Sequence, residues 1–354
     1  GVNSWKSTNG GSTWVLNSHW YGGGGKPLVH ADLHVVKYYN GSTCFLGTDG
    51  GIARTTNSGL NWTSINGNMN IAQMYKLGLA ANTASKIITG HQDNGTNLLN
   101  GSNWNFVLGG DGMDCFIDWN TNTTMYGSIQ YGDFRRSTNN GATWANITNG
   151  LSGTGAWVAP IVQDPTTPNT IYCGYQQVYK STNQGSTWQA LGNIGTTLDE
   201  IKVSPAGSNT IYATNAGGIW RTTNGGTSWS NVSGGIPAAS AQITDLAMDN
   251  LNPNTIYVTL SGYSSGNKVY KSTNGGATWT NYSTGLPNIP VNSIVYSNNS
   301  PQALYVGTDV GVFIFNSEIL EWEYFGVGMP NTSVTDLEIL YSSRKLRAGT
   351  FGRG

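Results

Sequence analysis

The sequence predicts an all-β fold, a single eight-bladed β-propeller of four-stranded antiparallel blades that spans residues 1–354. Two observations predict it: a polar turn that ends in Trp occurs eight times, and a short strand core recurs in step with the turn. Successive Trp residues are 48, 42, 40, 44, 41, 50 and 43 positions apart, a period that fits one four-stranded blade. Seven blades is the alternative count. The residues predicted to close the blades are Trp14, Trp62, Trp104, Trp144, Trp188, Trp229, Trp279 and Trp322.

The repeated turn has the form Ser/Thr-Thr-Asn-x-Gly-x-x-Trp in its six clean copies. Asn can accept hydrogen bonds from nearby backbone amides, and Gly supplies a positive φ, so these residue types favour a tight turn. The Trp that follows then inserts a large apolar ring between neighbouring sheets. We therefore predict a structural role, on the face opposite the binding mouth, for Asn9, Asn57, Asn139, Asn183, Asn224 and Asn274.

The strand core resembles Asn-Thr-Ile-Tyr and precedes the Trp of its unit by 17 to 23 residues in the first seven units. The eighth core, at Leu346, has no Trp after it. The 8 residues that follow Leu346 and the first 14 residues of the chain together give 22, which lies inside the observed range. We therefore predict that the last blade combines strands from both ends of the chain, a closure that leaves no open sheet edge.

Aligning the eight units on their strand cores places equivalent residues of the innermost strands together, and we call each such set of equivalent residues a column. Two neighbouring columns are informative. One column is apolar in all eight units and predicts core: Val35, Leu77, Cys115, Ile161, Ile201, Leu246, Ile294 and Leu337. The preceding column faces the other way and holds more charge than the 10% of the whole chain: His34, Lys76, Asp114, Pro160, Glu200, Asp245, Ser293 and Asp336. We predict that the polar members of this column surround a solvent-filled mouth of the central channel.

Loops predicted at the same mouth supply further candidate binding residues: Asp32, Gln92, Asp93, Asp111, Trp20, Tyr21, Trp157 and Arg353. Exposed aromatic rings beside carboxylates and amides suit a sugar, which offers an apolar face and a rim of hydroxyl groups. The sequence thus favours a binding or adhesion module that recognises a glycan or a protein. The alternative interpretation is structural, with the same polar groups hydrogen-bonded to backbone and water.

An enzyme is the second functional hypothesis, with Asp114 and either Glu200 or Asp245 as the catalytic acid and base of a glycoside hydrolase. Such a pair requires carboxyl groups about 5 to 9.5 Å apart. A sialidase is disfavoured because it needs an arginine cluster to bind the substrate carboxylate. Arg54, Arg136 and Arg221 directly precede the Asn turns, which leaves Arg353 as the main arginine near the mouth.

We expect no tightly bound metal and no other cofactor. His30 and His34 lie on one strand face, but a rise of about 3.3 Å per residue places them ~13 Å apart, too far to share one ion. The alternatives are an ion bound by Asp32 or His34 together with a residue of another blade, and Ca²⁺ bound by Asp carboxylates and backbone carbonyls.

Composition is consistent with an exported protein. The net charge is −1 and charged residues are scarce, which argues against nucleic acid as a partner. No run of apolar residues is long enough for a transmembrane helix. Cys44, Cys115 and Cys173 occupy positions that are apolar in other units, so we predict three buried thiols and no disulfide framework.

The repeated turn resembles the Asp-box, or BNR, repeat of sialidases, sortilin-type domains and xyloglucan-cleaving propellers, with Asn in place of the usual Asp. More narrowly, five segments resemble the BNR-type propellers of Bacteroidetes that are exported by type IX secretion: His30–His34, Gly47–Gly51, Gln92–Thr96, Gly109–Gly112 and Ala348–Gly354. The resemblance implies a secreted or cell-surface protein. Because no basic and then apolar leader precedes Gly1, we expect the chain to be a mature or trimmed segment, with other domains of a larger secreted chain among its candidate partners.

Overall fold

The all-β prediction is confirmed by the computed structural model, which describes residues 1–67, 69–238, 241–297 and 303–354. These residues form 32 strands and two short 3-10 turns, Gly23–Gly25 and Gln130–Gly132. The chain divides into two compact units, residues 1–71 and residues 72–354, and each is described by itself. That one domain spans the whole chain stays a prediction.

Residues 1–71 contain six antiparallel strands in two sheets. The strands are β1 (Ser4–Lys6), β2 (Val15–Ser18), β3 (Leu33–Tyr38), β4 (Cys44–Thr48), β5 (Gly51–Thr55) and β6 (Thr63–Ser64). β1 and β2 form a two-stranded sheet, and β3 to β6 form a four-stranded sheet in chain order.

Residues 72–354 contain six four-stranded sheets and one two-stranded sheet, in which consecutive strands pair antiparallel. The first three sheets are β7 (Met74–Leu79), β8 (Lys86–His91), β9 (Gly95–Asn100) and β10 (Asn103–Leu108); β11 (Cys115–Ile117), β12 (Met125–Ile129), β13 (Asp133–Ser137) and β14 (Ala145–Asn146); and β15 (Ile161–Gln163), β16 (Ile171–Gly174), β17 (Gln177–Ser181) and β18 (Gln189–Asn193). The next three are β19 (Glu200–Val203), β20 (Ile211–Asn215), β21 (Gly218–Thr222) and β22 (Ser230–Asn231); β23 (Ile243–Met248), β24 (Ile256–Leu260), β25 (Val269–Ser272) and β26 (Thr280–Asn281); and β27 (Val291–Ser297), β28 (Ala303–Thr308), β29 (Gly311–Asn316) and β30 (Glu321–Tyr324). The last sheet is β31 (Ser333–Leu340) with β32 (Lys345–Phe351).

The innermost strands of residues 72–354 form a closed circuit. Each of β7, β11, β15, β19, β23 and β27 lies beside the next inner strand, and β31 contacts both β27 and β7. The hydroxyl of Thr335 in β31 donates to the carbonyl of Met74 in β7 at 2.7 Å. Seven sheets, one of them two-stranded, therefore line the circuit in this unit, and the sheet of β3 to β6 supplies an eighth repeat, in agreement with a count of about eight. β1 pairs with β2 and β32 pairs with β31, so closure by strands from the two ends stays a prediction.

The apolar column forms the core between sheets in residues 72–354. Its members from Leu77 to Leu337 are all buried, and they pack against the middle strands of the preceding sheets. Leu246, for example, clusters with Tyr212 and Ile219 of the sheet before it. Val35 of β3 departs from the prediction because 56% of it is exposed.

The closing Trp residues join neighbouring sheets in four units, as predicted. Their indole Nε1 atoms donate at 2.5 to 2.8 Å to backbone carbonyls of the preceding sheet, in the pairs Trp188–Ile147, Trp229–Leu191, Trp279–Val232 and Trp322–Tyr282. The prediction is wrong for Trp104, which is 51% exposed. β9 and β10 are joined by a tight hairpin turn at Gly101, with φ of 72°, so the longer turn that buries the ring is absent there. Trp14 is likewise exposed.

The Asn turns have the predicted internal hydrogen bonds. Asn224 Oδ1 accepts from the Thr222 hydroxyl at 2.8 Å and from the Ser228 amide at 3.0 Å, and its Nδ2 donates to the Ser228 hydroxyl. The side-chain oxygens of Asn9, Asn57, Asn139, Asn183 and Asn274 accept equivalent bonds. The turn of Asn9 connects β1 and β2, and the other five turns connect the third and fourth strands of their sheets, at the end opposite the loops between sheets. All three cysteines are free and buried, as predicted.

Candidate functional site

The charged column converges at the centre of the ring in residues 72–354. The ammonium group of Lys76 in β7 contacts a carboxylate oxygen of Glu200 in β19, although 124 positions separate the two residues. Lys76 Nζ also lies 4.0 Å from Asp336 Oδ1. The inner strands thus bring together side chains that are far apart in the sequence, as the column predicted.

Three carboxylates of the column bind the backbone of the next sheet. Asp114 Oδ2 accepts from the Ile161 amide at 2.8 Å, and Asp336 Oδ2 accepts from the Leu77 amide at 2.9 Å. In the same way, Asp245 Oδ2 accepts from the amide of Ile294 at 2.9 Å. Each amide belongs to the apolar column, so each carboxylate links one inner strand to the next.

This arrangement corrects the expected solvent-filled ring of charge. Glu200, Asp245 and Asp336 are buried, and their partners are lysines and backbone amides inside the ring. Buried carboxylates are tolerated where ion pairs and hydrogen bonds compensate for lost hydration. These three carboxylates therefore have the structural role that the sequence left as the alternative, whereas Lys76 and Asp114 of the same column are only partly buried.

Lys202 belongs to the same network and was missed by the sequence analysis, as was Glu338, an exposed residue on the same strand face as Asp336. Lys202 Nζ lies 3.2 Å from Asp245 Oδ1 and 3.5 Å from Glu200 Oε2. Both residues are two positions beyond a charged column member on the same strand, and strand alternation gives them the same face. The column two positions after the charged column did not indicate a charged site, because its other members, such as Val162, Ala247 and Val295, are apolar.

Ionisation within the network follows from burial and from the two lysines. Burial raises the pKa of Asp114 to about 7 against the opposing charge of Lys76. Burial opposes the ionisation of Glu200 as well, but Lys76 and Lys202 together lower its pKa. Burial opposes the charged form of Lys76, yet the carboxylates of Glu200 and Asp336 raise its pKa well above its ordinary value.

A second cluster lies on the loop face of the same unit, where the inner strands begin. The indole Nε1 of Trp157 donates to Tyr75 Oη at 3.0 Å, and this hydroxyl donates to Gln92 Oε1 at 2.9 Å. The Trp157 and Tyr131 rings meet edge to face, with centroids 5.2 Å apart. We call Tyr75, Gln92, Tyr131 and Trp157 the loop-face site.

Backbone hydrogen bonds fix the two exposed rings of the loop-face site. The Tyr131 amide donates to the Trp157 carbonyl at 3.2 Å, and the Gly155 amide donates to the Tyr131 carbonyl at 3.1 Å. Tyr131 has a φ of 61°, a conformation that costs energy for a bulky residue and persists only where its surroundings hold it. The site is therefore preorganised, with 53% of Tyr131 and 40% of Trp157 exposed.

Predicted carboxylates lie near this site. Burial raises the pKa of Tyr75, and the charges of Asp111 and Asp93 raise it further, against the hydrogen bond from Trp157. Gln92, Asp93, Asp111 and Trp157 are thus brought to one region, as the sequence predicted. Arg353 follows β32 on the same face and is exposed.

A cavity of about 310 Å³ adjoins Tyr131. It is lined by Gln130, Tyr131, Gly132, Asp133, Thr148, Leu151, Gly153, Thr154 and Tyr175. Both oxygens of Asp133 accept from Arg135, at 2.6 and 2.9 Å, and one also accepts from Asn146. Its charge is therefore compensated, so the cavity suits a neutral polar ligand.

The remaining predicted residues lie in the unit of residues 1–71. His34 Nε2 is 2.8 Å from Asp49 Oδ1, and the His34 side chain is largely exposed. Trp20 and Tyr21 are exposed and meet edge to face at 4.8 Å. Asp32 has a φ of 54° and is exposed.

Comparison by sequence gives one partial family match. The family described as sortilin, neurotensin receptor 3 (Sortilin-Vps10) matches residues 176–306, less than half of the chain. This supports the Asp-box resemblance for that segment. No curated protein matches the sequence.

Solved structures support the propeller fold. An ancestral GH74 enzyme has a TM-score of 0.60 and 18% identity over 72% of this chain and 39% of its own. The GH74 xyloglucanase from Xanthomonas campestris has a TM-score of 0.51 and 14% identity, and the match covers 88% of this chain and 55% of the xyloglucanase. The extracellular domain of a proposed one-component system from B. thetaiotaomicron has a TM-score of 0.56 and 12% identity, and the match covers 79% of this chain and 38% of the other chain. This chain therefore spans about two fifths to half of their lengths, and at these identities the likeness concerns fold alone.

No helix among the described residues has the length and apolar character required to cross a lipid bilayer.

Proposed function

We propose that this chain is a secreted or cell-surface binding propeller that recognises a glycan at the loop-face site. The observation that carries the proposal is the exposed, preorganised pair of Trp157 and Tyr131 beside a polar cavity of about 310 Å³. Aromatic rings supply apolar contact area at low entropic cost, and neighbouring amides and hydroxyls can bind sugar hydroxyl groups.

Charge supports a neutral ligand over an acidic one. The carboxylates of Asp93 and Asp111 lie near Tyr75, and Arg135 is already engaged by Asp133. Arg136 and Arg221 bind a Gln184 carbonyl and an Asn254 side chain beside the Asn turns. Sialic acid is therefore disfavoured as the ligand.

The test compares Trp157→Ala with Trp104→Ala, a matched control because Trp104 is also exposed but lies on the outer strand β10. A glycan array identifies ligands for the parent chain, and calorimetry then measures affinity. We expect Trp157→Ala to weaken binding at least tenfold, a change of about 1.4 kcal/mol, and Trp104→Ala to leave it unchanged. No glycan ligand for the parent chain, or equal affinities in both variants, would contradict the proposal and favour a protein ligand.

A glycoside hydrolase remains the second candidate, favoured by one observation. A pKa of about 7 for Asp114 would suit a general acid near neutral pH. Its Oδ2 atom, however, accepts a backbone amide, and Glu200 and Asp245 are engaged in the same network. Turnover of an array ligand by the parent chain, abolished in folded Asp114→Asn, would favour the enzyme over the binding module.

A further inference from the structure

Aromatic side chains continue across the loop face of residues 72–354 beyond the exposed pair of Trp157 and Tyr131. The ring of Tyr75 lies next to the ring of Phe351, with centroids 5.9 Å apart and planes inclined at 57°. Tyr75 therefore contacts one aromatic residue, Trp157, through its hydroxyl group and another, Phe351, through its ring. Phe351 thus extends the loop-face site by a further ring.

Backbone hydrogen bonds hold Phe351 in this position. Gln73, directly before β7, forms an antiparallel bridge with Phe351, and the Gly352 amide donates to the carbonyl of Ala72 at 2.8 Å. The carbonyl of Gln73 also accepts the amide of Gln92 at 2.9 Å. Phe351 and Gln92 are therefore fixed against the same residue, and the side chains of both are partly exposed.

The direction of the hydrogen bonds in the site leaves one polar group for a ligand. An indole Nε1 can only donate, so the Tyr75 hydroxyl accepts from Trp157 and directs its own hydrogen to Gln92 Oε1. Within the described part of the chain, the Gln92 side chain makes no second hydrogen bond. Its Nε2 atom carries two hydrogens, and it can donate them to the hydroxyl oxygens of a sugar beside Tyr75.

We propose that the loop-face site binds at least two consecutive units of a linear neutral oligosaccharide, one unit at Trp157 and the next at Phe351. This inference rests on the proposed glycan function and extends it from a single sugar to a chain. Each unit would place an apolar face against an aromatic ring, and Gln92 would donate to a hydroxyl group between the two units.

The separation of the two rings favours a chain over a single sugar. Among the described residues, the rings of Trp157 and Phe351 each contact Tyr75 but do not contact one another. A pyranose is about the size of one aromatic ring, so a single unit on Trp157 leaves Phe351 uncovered. A second unit would bury this ring and add apolar contact area, which raises affinity.

The test measures how affinity depends on the length of the sugar chain. The probes are homologous series of β-linked glucose, mannose and xylose, from the monosaccharide to the tetrasaccharide, titrated into the whole chain by calorimetry. We expect the parent to bind at least one series and to bind its trisaccharide at least tenfold more tightly than its monosaccharide. Equal affinities for the monosaccharide and the tetrasaccharide would overturn this inference and leave a glycan site at Trp157 in place.

Absence of binding for all three series would also overturn this inference, whereas the proposed function is judged separately on the glycan array. The length dependence is measured on the parent and does not require a variant to fold. The two proposals can therefore fail independently.

Phe351→Ala separates the second ring from the first. In this variant the trisaccharide should lose its advantage, and the monosaccharide should bind as it binds the parent. Phe351→Tyr keeps a ring and should keep the preference for the trisaccharide. Phe106→Ala, at an exposed position on the outer strand β10, is the matched control and should match the parent. An undiminished preference for the trisaccharide in Phe351→Ala, or a loss of monosaccharide binding in the same variant, would contradict a direct contact between Phe351 and the second unit.

Discussion

Asp114 is a partly buried carboxyl group whose protonation affects stability over a defined pH range. Its pKa in the folded chain is about 7, against an ordinary value of 3.8, chiefly because of burial. The folded state therefore binds this proton more tightly than the unfolded state. The resulting stability is complete below about pH 4 and is lost as the pH rises through about 7.

Asp114→Asn should accordingly gain stability relative to the parent between pH 4 and pH 8. Asn cannot ionise but retains an oxygen for the Ile161 amide. Since one pKa unit corresponds to about 1.4 kcal/mol, we expect a relative gain of about 1 kcal/mol or more, measured by urea unfolding at both pH values. Glu318→Gln is the exposed control and should show little change. A stability difference between Asp114→Asn and the parent that is independent of pH would contradict this assignment.

Strand periodicity predicted which charged side chains converge but not what surrounds them. Lys76, Asp114 and Glu200 were identified because residues in register on inner strands share a face. The burial of Asp245 and Asp336 depends on the distance between each carboxylate and an amide of the next sheet, which the sequence does not encode locally. Tyr75 was missed for a similar reason: it became part of a site only through contact with Trp157, 82 positions away.

The Asn turn is the element whose contribution can be isolated most directly. We expect Asn224→Ala to lower the free energy of unfolding by about 1 kcal/mol, the usual scale of a lost hydrogen bond, because its side chain links Thr222 to Ser228. Thr223→Ala is the matched control, an exposed residue in the same turn, and should stay within about 0.5 kcal/mol of the parent. Both changes are measured by thermal or urea unfolding.

Glycan binding gives the second readout for this turn. The turn lies at the end of its sheet opposite the loop-face site, so Asn224→Ala should leave affinity unchanged. Weaker binding with unchanged stability would mean that the two faces have been assigned in reverse.

The turn motif predicted local structure well where all its residues are present. Trp188, Trp229 and Trp279 close clean copies and bond to the preceding sheet. Trp104 ends a worn copy, and the shorter hairpin at Gly101 leaves its ring outside. A recurring Trp thus predicts a unit but not burial of its ring, since Trp14 ends a complete turn and is exposed, whereas Trp322 ends a worn copy and bonds to the preceding sheet.

At the scale of the whole chain, the repeat period predicted the number of strand units and their antiparallel order. It did not predict which units are neighbours. The contact of β31 with β7 depends on the Thr335 hydroxyl, on the Asp336 carboxylate and on a bridge between Gln73 and Phe351, and of these only Asp336 belongs to a column that recurs among the units.

The closed circuit of inner strands predicts that residues 72–354 fold by themselves. Each inner strand in this fragment has two neighbours, and the lysines and carboxylates of the network all lie within it. We expect a β-rich circular dichroism spectrum and a single cooperative thermal transition.

Residues 72–332 are the control, because this shorter fragment lacks β31 and β32 and therefore opens the circuit between β27 and β7. Lys76 would lose Asp336, the Leu77 amide would lose its acceptor, and the apolar faces packed against β31 would be exposed to water. We expect this fragment to aggregate or to unfold without a sharp transition. If both fragments unfold with the same midpoint, contact between β31 and β7 does not hold the ring together, and stability must then reside in the individual pairs of neighbouring sheets.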